Sequence, residues 1–361
     1  MTPNGGRSAA VPALAPAIGF ALVAFLYAGA RALHEPAWPT DFDQLWHAAR
    51  ALWQGVDPYS VVGPGKQFQW NWPLYYPLPA VLLATPFAWM PVAVARVAFA
   101  TVGGAVLGWA MGYRAAALWP LALSAAYLIA VSRAQWSPLI LAAAWVPALA
   151  FVATAKPNIG LVCLATLRGR PSLAVASSAA VVAILVSFAA RPDWFTAWRA
   201  AIANAPHIAA PIALPFGFLL ALSVLKWRRA DARLLLVMAC VPHTPSLYDL
   251  VPLFFLCRSL REALILALLT HSVFWANILF GTGTTFDTYA EWLGRAILWI
   301  VYLPALAAIL ARPNRADNPD RAAPPTTWRA ALPTSHADIT LTALLVIAGF
   351  FQVWLPLVTT R

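Results

Sequence analysis

The stretch from Val11 to Leu33, VPALAPAIGFALVAFLYAGARAL, decides the class of fold. It contains no acidic residue and a single basic one, Arg31. A helix needs roughly 20 apolar residues to cross the hydrocarbon layer, and this run supplies them. It is too long for the apolar core of a secretory signal, has no clear cleavage site and follows only Arg7. It reads as an uncleaved first membrane span. Working outward, the chain divides into about thirteen apolar segments, the last at 338–358. Several are too short for a straight crossing. The 31 prolines, including Pro77, Pro79, Pro138, Pro157, Pro242 and Pro252, imply kinked or broken helices. Interrupted backbone at membrane depth needs protein or a water-filled cavity beside it, so a cavity is expected rather than a simple bundle.

Composition agrees. Of 361 residues 61% are hydrophobic and only 10% charged, and the mean hydropathy is +0.71. A soluble domain carries about a quarter charged residues, so an ordinary soluble enzyme and a disordered chain are both excluded. The 18 tryptophans fit the aromatic belts of a membrane protein. The net charge of +11 does not point to nucleic acid, because the arginines sit between apolar runs rather than in one patch. Cys163, Cys240 and Cys257 lie in apolar stretches without metal-ligand spacing, and read as free thiols.

With the N-terminus inside, the internal segments hold fifteen of the 24 basic residues: Arg7, Arg96, Arg133, Arg168, Arg170, Lys226, Arg228, Arg229, Arg233, Arg258, Arg261, Arg312, Arg315, Arg321 and Arg329. This is the positive-inside bias. Residues 34–74 then form a first external loop, and 312–337 a cytoplasmic linker to the last span. The expectation is an all-α polytopic membrane protein, one unit over 1–361, with about 11–13 transmembrane helices.

The first external loop carries the chemistry. Phe42, Leu45, Trp46, Ala49 and Trp53 recur at helical spacing, giving one apolar face of a helix lying in the bilayer interface. Gly55 supplies its stop and Thr40 its cap. Asp41 and Asp43 fall in its first turn, either as a capping device or as a catalytic carboxylate held at the membrane face. The following Trp70-Asn-Trp-Pro-Leu-Tyr-Tyr-Pro-Leu-Pro-Ala80 reads as an aromatic belt, a sugar-stacking surface or a prenyl groove. Asp193, Trp194, Trp198, Asn204 and His207 mark a second external loop, read as a surface helix that could also shape an acceptor site.

Several motifs occur in one order: Asp41-Phe42, Ala48-Ala49 with Leu52, Gly55-Val-Asp-Pro-Tyr59, Tyr75-Tyr-Pro-Leu-Pro79, Gln135-Trp-Ser-Pro138, Lys156-Pro157-Asn158 and His243-Thr-Pro-Ser-Leu-Tyr-Asp249. In these the chain resembles the family 87 integral-membrane glycosyltransferases of the GT-C fold, which include mannosyl- and arabinofuranosyltransferases of the bacterial envelope. It departs where that family often carries tyrosine, at Leu45 and Trp46, and glycine, at Ala134. The resemblance implies a GT-C-like bundle in the bacterial inner membrane with its active site on the outer face. A sugar, mannose foremost, would move from a polyprenyl-phosphate donor to a lipid or glycan acceptor with inversion.

The resemblance places the general base at Asp41, with Asp43 as runner-up; the two lie about 200° apart around the helix and cannot share one target. The departing phosphate needs a cation, for which Lys156 is the candidate, against a lysine that merely snorkels to the interface. His243 and Asp249 flank a proline break. They could bind phosphate, orient the acceptor, hold a metal or cap the broken helix. Tyr59 and Tyr76 could hydrogen-bond substrate or anchor the interface. Gln135 is another substrate-binding candidate, although the span count puts it on the inner side. No cofactor is implied with certainty, and a divalent cation is left open. The alternatives are a transporter or lipid flippase with a proline-broken central cavity, and a membrane scaffold without activity.

Overall fold

The computed structural model describes residues 11–35, 39–112, 115–203, 205–206, 208–283, 285–315 and 332–359. The expected 312–337 linker and two second-loop residues, Asn204 and His207, lie largely or wholly outside these. The helices in chain order are α1 (Val11–His34), α2 (Asp41–Trp53), α3 (Pro58–Val61), α4 (Leu78–Ala84), α5 (Val92–Met111), α6 (Ala115–Leu118), α7 (Ala125–Ser132) and α8 (Ser137–Ala143). They continue as α9 (Pro157–Leu164), α10 (Arg170–Ala190), α11 (Trp194–Ile202), α12 (Ala230–Cys240), α13 (Leu260–Phe280), α14 (Phe286–Ile297), α15 (Leu303–Leu310) and α16 (His336–Thr359). A π-helical turn over 298–302 joins α14 to α15. Long 3₁₀ segments run over 147–155, 217–226 and 247–256. Six helices are long and apolar enough to cross a membrane, and shorter apolar ones lie between them. The chain is an all-α polytopic membrane protein.

Small residues set the tightest packing. α1 lies along α5. A Cβ added at Gly104 would stand 2.7 Å from the Phe20 carbonyl oxygen, and one at Gly108 2.3 Å from that of Pro16. The two backbones therefore touch through a glycine pair four residues apart, running antiparallel. Tyr127 of α7 donates its hydroxyl to the Phe20 carbonyl at 2.8 Å, closing a three-helix core.

Two apolar runs that the sequence suggests as crossings turn back instead. Pro77, just before α4, lines the same cavity as Asp41. Beyond α4, the Met90 carbonyl accepts from Trp46 Nε1 at 3.0 Å and Arg96 pairs with Asp43, both on α2. The segment 135–156 behaves likewise: it starts at Gln135, bonded to the cavity residue Asp41, packs Trp145 against Phe255 with ring centres 5.6 Å apart, and returns to the cavity at Lys156. Arg96 and Arg133 therefore belong to the cavity end, correcting their assignment to the inner side. The cause is length: seven-residue α4 and α8 span only about 10 Å each.

The opposite end is tied by a charge network. Asp231, 2% exposed, accepts from Arg229 and from Arg312 at 2.7 Å. Arg312 reaches Glu262 at 2.8 Å, and Arg261 holds Asp338 at 2.9 Å. This network joins α12, α13 and the α15 exit to the start of α16.

Candidate functional site

The site is built where α2 meets the chain after α7. Phe42 packs on Phe99 with the rings tilted and their centres 4.6 Å apart, and Trp136 meets the same ring edge-on at 4.8 Å. The neighbouring residues, Asp41 and Gln135, are thereby brought together, and Gln135 Nε2 donates to Asp41 Oδ2. Between α7 and Gln135 the backbone passes through Ala134 in the left-handed region, φ +48°. That conformation is unfavourable for a residue with a Cβ and marks the turn that aims Gln135 at Asp41. The inner-side placement of Gln135 is thus corrected.

Asp41 faces a cavity of about 940 Å³ whose wall includes Gln44, Tyr76, Arg133, Lys156 and Tyr248. Its Oδ2 also accepts from the Tyr248 hydroxyl, at 3.4 Å. Its Oδ1 makes no hydrogen bond among the described residues and is the free edge of the carboxylate. Burial pushes the Asp41 carboxyl above the usual carboxylate range, and the Arg133 and Lys156 charges hold the rise back. Trp70, Trp72 and Trp198 add apolar faces to the wall. Trp198, from α11, is fixed by a 2.8 Å bond from its indole N–H to the Tyr75 carbonyl, so the second loop does shape this cavity.

Asp43 does not face the cavity. Its carboxylate accepts from Arg96 in a two-pronged ion pair and from the Thr40 backbone N–H at 3.2 Å and hydroxyl at 3.0 Å. It is 2% exposed. The capping reading holds for Asp43, and its role as alternative base is corrected: every face of the carboxylate is already engaged. Most of the apolar face of α2 is turned to protein, with Phe42, Leu45, Ala48 and Ala49 all within 1% of full burial, while Trp53 at its C-terminal end is 54% exposed.

Lys156 lines the cavity as expected, but its Nζ is bonded to Asp249 Oδ1 at 2.6 Å and lies over the Tyr248 ring at 4.7 Å. Asp249 is fully buried behind it, outside the cavity wall, with Oδ2 unpartnered. Asp249 is therefore a counter-ion to Lys156 and not a substrate contact. Nor does it hydrogen-bond His243, which bonds the Val241 carbonyl at 2.9 Å through Nδ1 and the Tyr302 hydroxyl at 3.1 Å through Nε2. That arrangement makes Nδ1 the donor and leaves Nε2 to accept, so both ring nitrogens are spent on the protein. His243 lines a separate pocket of about 140 Å³ beside the main cavity. Tyr76 lines the cavity, whereas Tyr59 is buried beneath it and donates its hydroxyl to the Tyr76 carbonyl at 3.2 Å. Tyr59 is a support, not a contact.

Among the described residues no group of three or more His, Cys, Asp or Glu comes together. Asp249 is bound to a lysine and Asp41 faces Arg133, so the donor set does not fit a divalent ion. Sequence reasoning missed Arg133, Tyr248 and Gln352 as parts of the wall. Tyr248 stood within a quoted motif, and Arg133 was assigned to the wrong end. Gln352 is the lone amide or charged residue in the run 343–358, a signal visible in the last span.

Fold and site together define a polytopic membrane protein with a carboxylate-bearing aromatic cavity at one end of its helices. Comparison of the chain with protein-family models, with curated proteins and with solved structures gives no match.

Proposed function

We propose that this protein is a membrane glycosyltransferase that moves a sugar from a polyprenyl-phosphate donor to a lipid or glycan acceptor on the outer face of the bacterial inner membrane, as the family 87 resemblance suggests. The observation that carries this reading is the Asp41 carboxylate. One oxygen is pinned by Gln135 and Tyr248 while the other stands free in the cavity. A base held this way accepts the proton of an acceptor hydroxyl at Oδ1. The acceptor oxygen attacks the anomeric carbon, the bond from that carbon to the phosphate oxygen breaks, and polyprenyl phosphate leaves with the electron pair. One displacement inverts the centre. Burial raises the basicity of Asp41, which suits proton removal. The tryptophan and tyrosine faces of the wall suit a sugar ring.

The test is release of polyprenyl phosphate by purified protein in lipid, offered a panel of polyprenyl-phosphate sugars. Wild type is expected to release it with one of them. Asp41→Asn is expected to lower the rate by roughly 10²–10⁴. No release with any donor, from folded protein, would bring forward the transporter or flippase reading, which a substrate-uptake assay then tests.

A further inference from the structure

Among the described residues, three cations line the cavity: Arg31, Arg133 and Lys156. Two are balanced by the protein, Arg31 by Glu35 at 2.6 Å and Lys156 by Asp249 at 2.6 Å. The guanidinium of Arg133 makes no hydrogen bond or ion pair among the described residues, although it sits half-buried in the wall. Tyr27 of α1, which lies within electrostatic reach of Arg133, and Gln352 of α16, within reach of Tyr27, line the same cavity. Gln352 is 1% exposed, and its amide lies within reach of the Tyr27 hydroxyl without a well-formed hydrogen bond at either atom. A charged fork without a counter-ion and a buried amide without well-formed hydrogen bonds both stand in the wall of one cavity. Unmade hydrogen bonds of this kind are costly in a dry wall, and an entering anion would satisfy them.

We infer that Arg133, supported by Gln352, is the anchor for a phosphate group of the ligand that enters this cavity, in place of the Lys156 that sequence alone nominates. The inference rests on the transferase reading for the expectation that a phosphate enters. Its own ground is that Lys156 brings a charge already matched by Asp249, whereas Arg133 brings an unmatched one. The planar guanidinium can also give two parallel N–H bonds to a phosphate, which an ammonium cannot. Arg133 lies close enough to Asp41 to influence its charge, so the phosphate would sit in the same chamber as the base. The phosphate belongs either to a prenyl-phosphate donor or to a phospholipid acceptor; the chemistry recognised is the same.

The experiment uses full-length protein in phosphatidylcholine nanodiscs, with intrinsic tryptophan fluorescence as the binding signal. One arm compares decaprenyl phosphate with decaprenol, and the other compares phosphatidylinositol with diacylglycerol. Wild type is expected to prefer the phosphate-bearing lipid in at least one arm, by about tenfold or more. Arg133→Gln should lose that preference in the same arm, which names the source of the phosphate. Arg133→Lys should restore part of it. Arg191→Gln, a like change at an arginine paired with Asp193 away from the cavity wall, should keep it. A preference unchanged in Arg133→Gln, or none in either arm for wild type, would overturn the assignment. So would an Arg133→Gln chain that cannot fold, because it would reveal a structural partner. Loss of the preference in Arg133→Gln, with no sugar release from any donor by wild type, would keep the phosphate anchor and discard the transferase reading. Sugar release with an unaltered preference would do the reverse.

Discussion

Asp41 and Asp43 are two residues apart and do opposite things. Asp41 is destabilised by burial in its ionised form, so its folded pKa lies above the unfolded one. A group shifted that way favours folding below its unfolded pKa, and that contribution is lost as pH rises through the folded value. Asp41→Asn should therefore be at least as stable as wild type at neutral pH, with an advantage that grows as pH is raised across the folded pKa. The transfer rate should rise with pH along a limb displaced above the usual carboxylate value of about 4. Since Arg133 holds the pKa down, the limb should move to higher pH in Arg133→Gln. Asp43→Asn should instead lose roughly 3–5 kcal/mol, because it strands the buried Arg96 charge. Thermal unfolding of both variants across pH separates the two; equal destabilisation would contradict these roles. The pair of acids was legible in the sequence, since a helix start with two acids is a local pattern. It could not show which acid faces the cavity, because Arg96 lies 53 residues away and Gln135 lies 94 away.

At the scale of elements, the long helices were legible and the short ones were misread for one physical reason. A run of apolar residues reports burial, not direction. The run of α5 crosses, but those around α4 and α8 are too short and proline-bounded to do so, and they return to the cavity. Counting each as a crossing reversed the side of Arg133 and hid the best candidate for the anion. The glycines of α5 offer a direct test of the packing that holds this arrangement. At Gly108 a new side chain would meet backbone of Pro16 and Ala17 that cannot swing aside, with contacts from 2.3 to 2.9 Å. Gly108→Val should cost about 1–3 kcal/mol or more through overpacking. Gly103→Ala, whose nearest neighbour is the Leu139 side chain at 3.7 Å, should be tolerated. Unfolding in detergent compares them; equal stability would mean that α1 and α5 do not pack backbone to backbone.

At the scale of the whole molecule, the two ends carry different electrostatics. At the cavity end, Arg31, Arg96 and Lys156 are each matched by a carboxylate on the same end. At the other end, Lys226, Arg228, Arg229, Arg233, Arg258, Arg261 and Arg312 gather around only a few acids, chiefly Asp231, Glu262 and Asp338. Moving Arg96 and Arg133 to the cavity end reduces the positive-inside bias of the sequence count but leaves its sign intact. By the positive-inside rule this excess predicts that the Arg312 end faces the cytoplasm and the cavity faces outside, the side on which the proposed transferase needs its lipid-linked donor. Gln67, exposed in the cavity-end loop, and Asn314, exposed beyond α15, report the two sides. With the native cysteines replaced, Gln67→Cys should react with a membrane-impermeant maleimide on intact cells. Asn314→Cys should react only after the membrane is opened. The reverse pattern would put Asp41 on the cytoplasmic face and contradict an outer-face transferase, because the same orientation that explains the basic end is what gives the base access to its proposed donor.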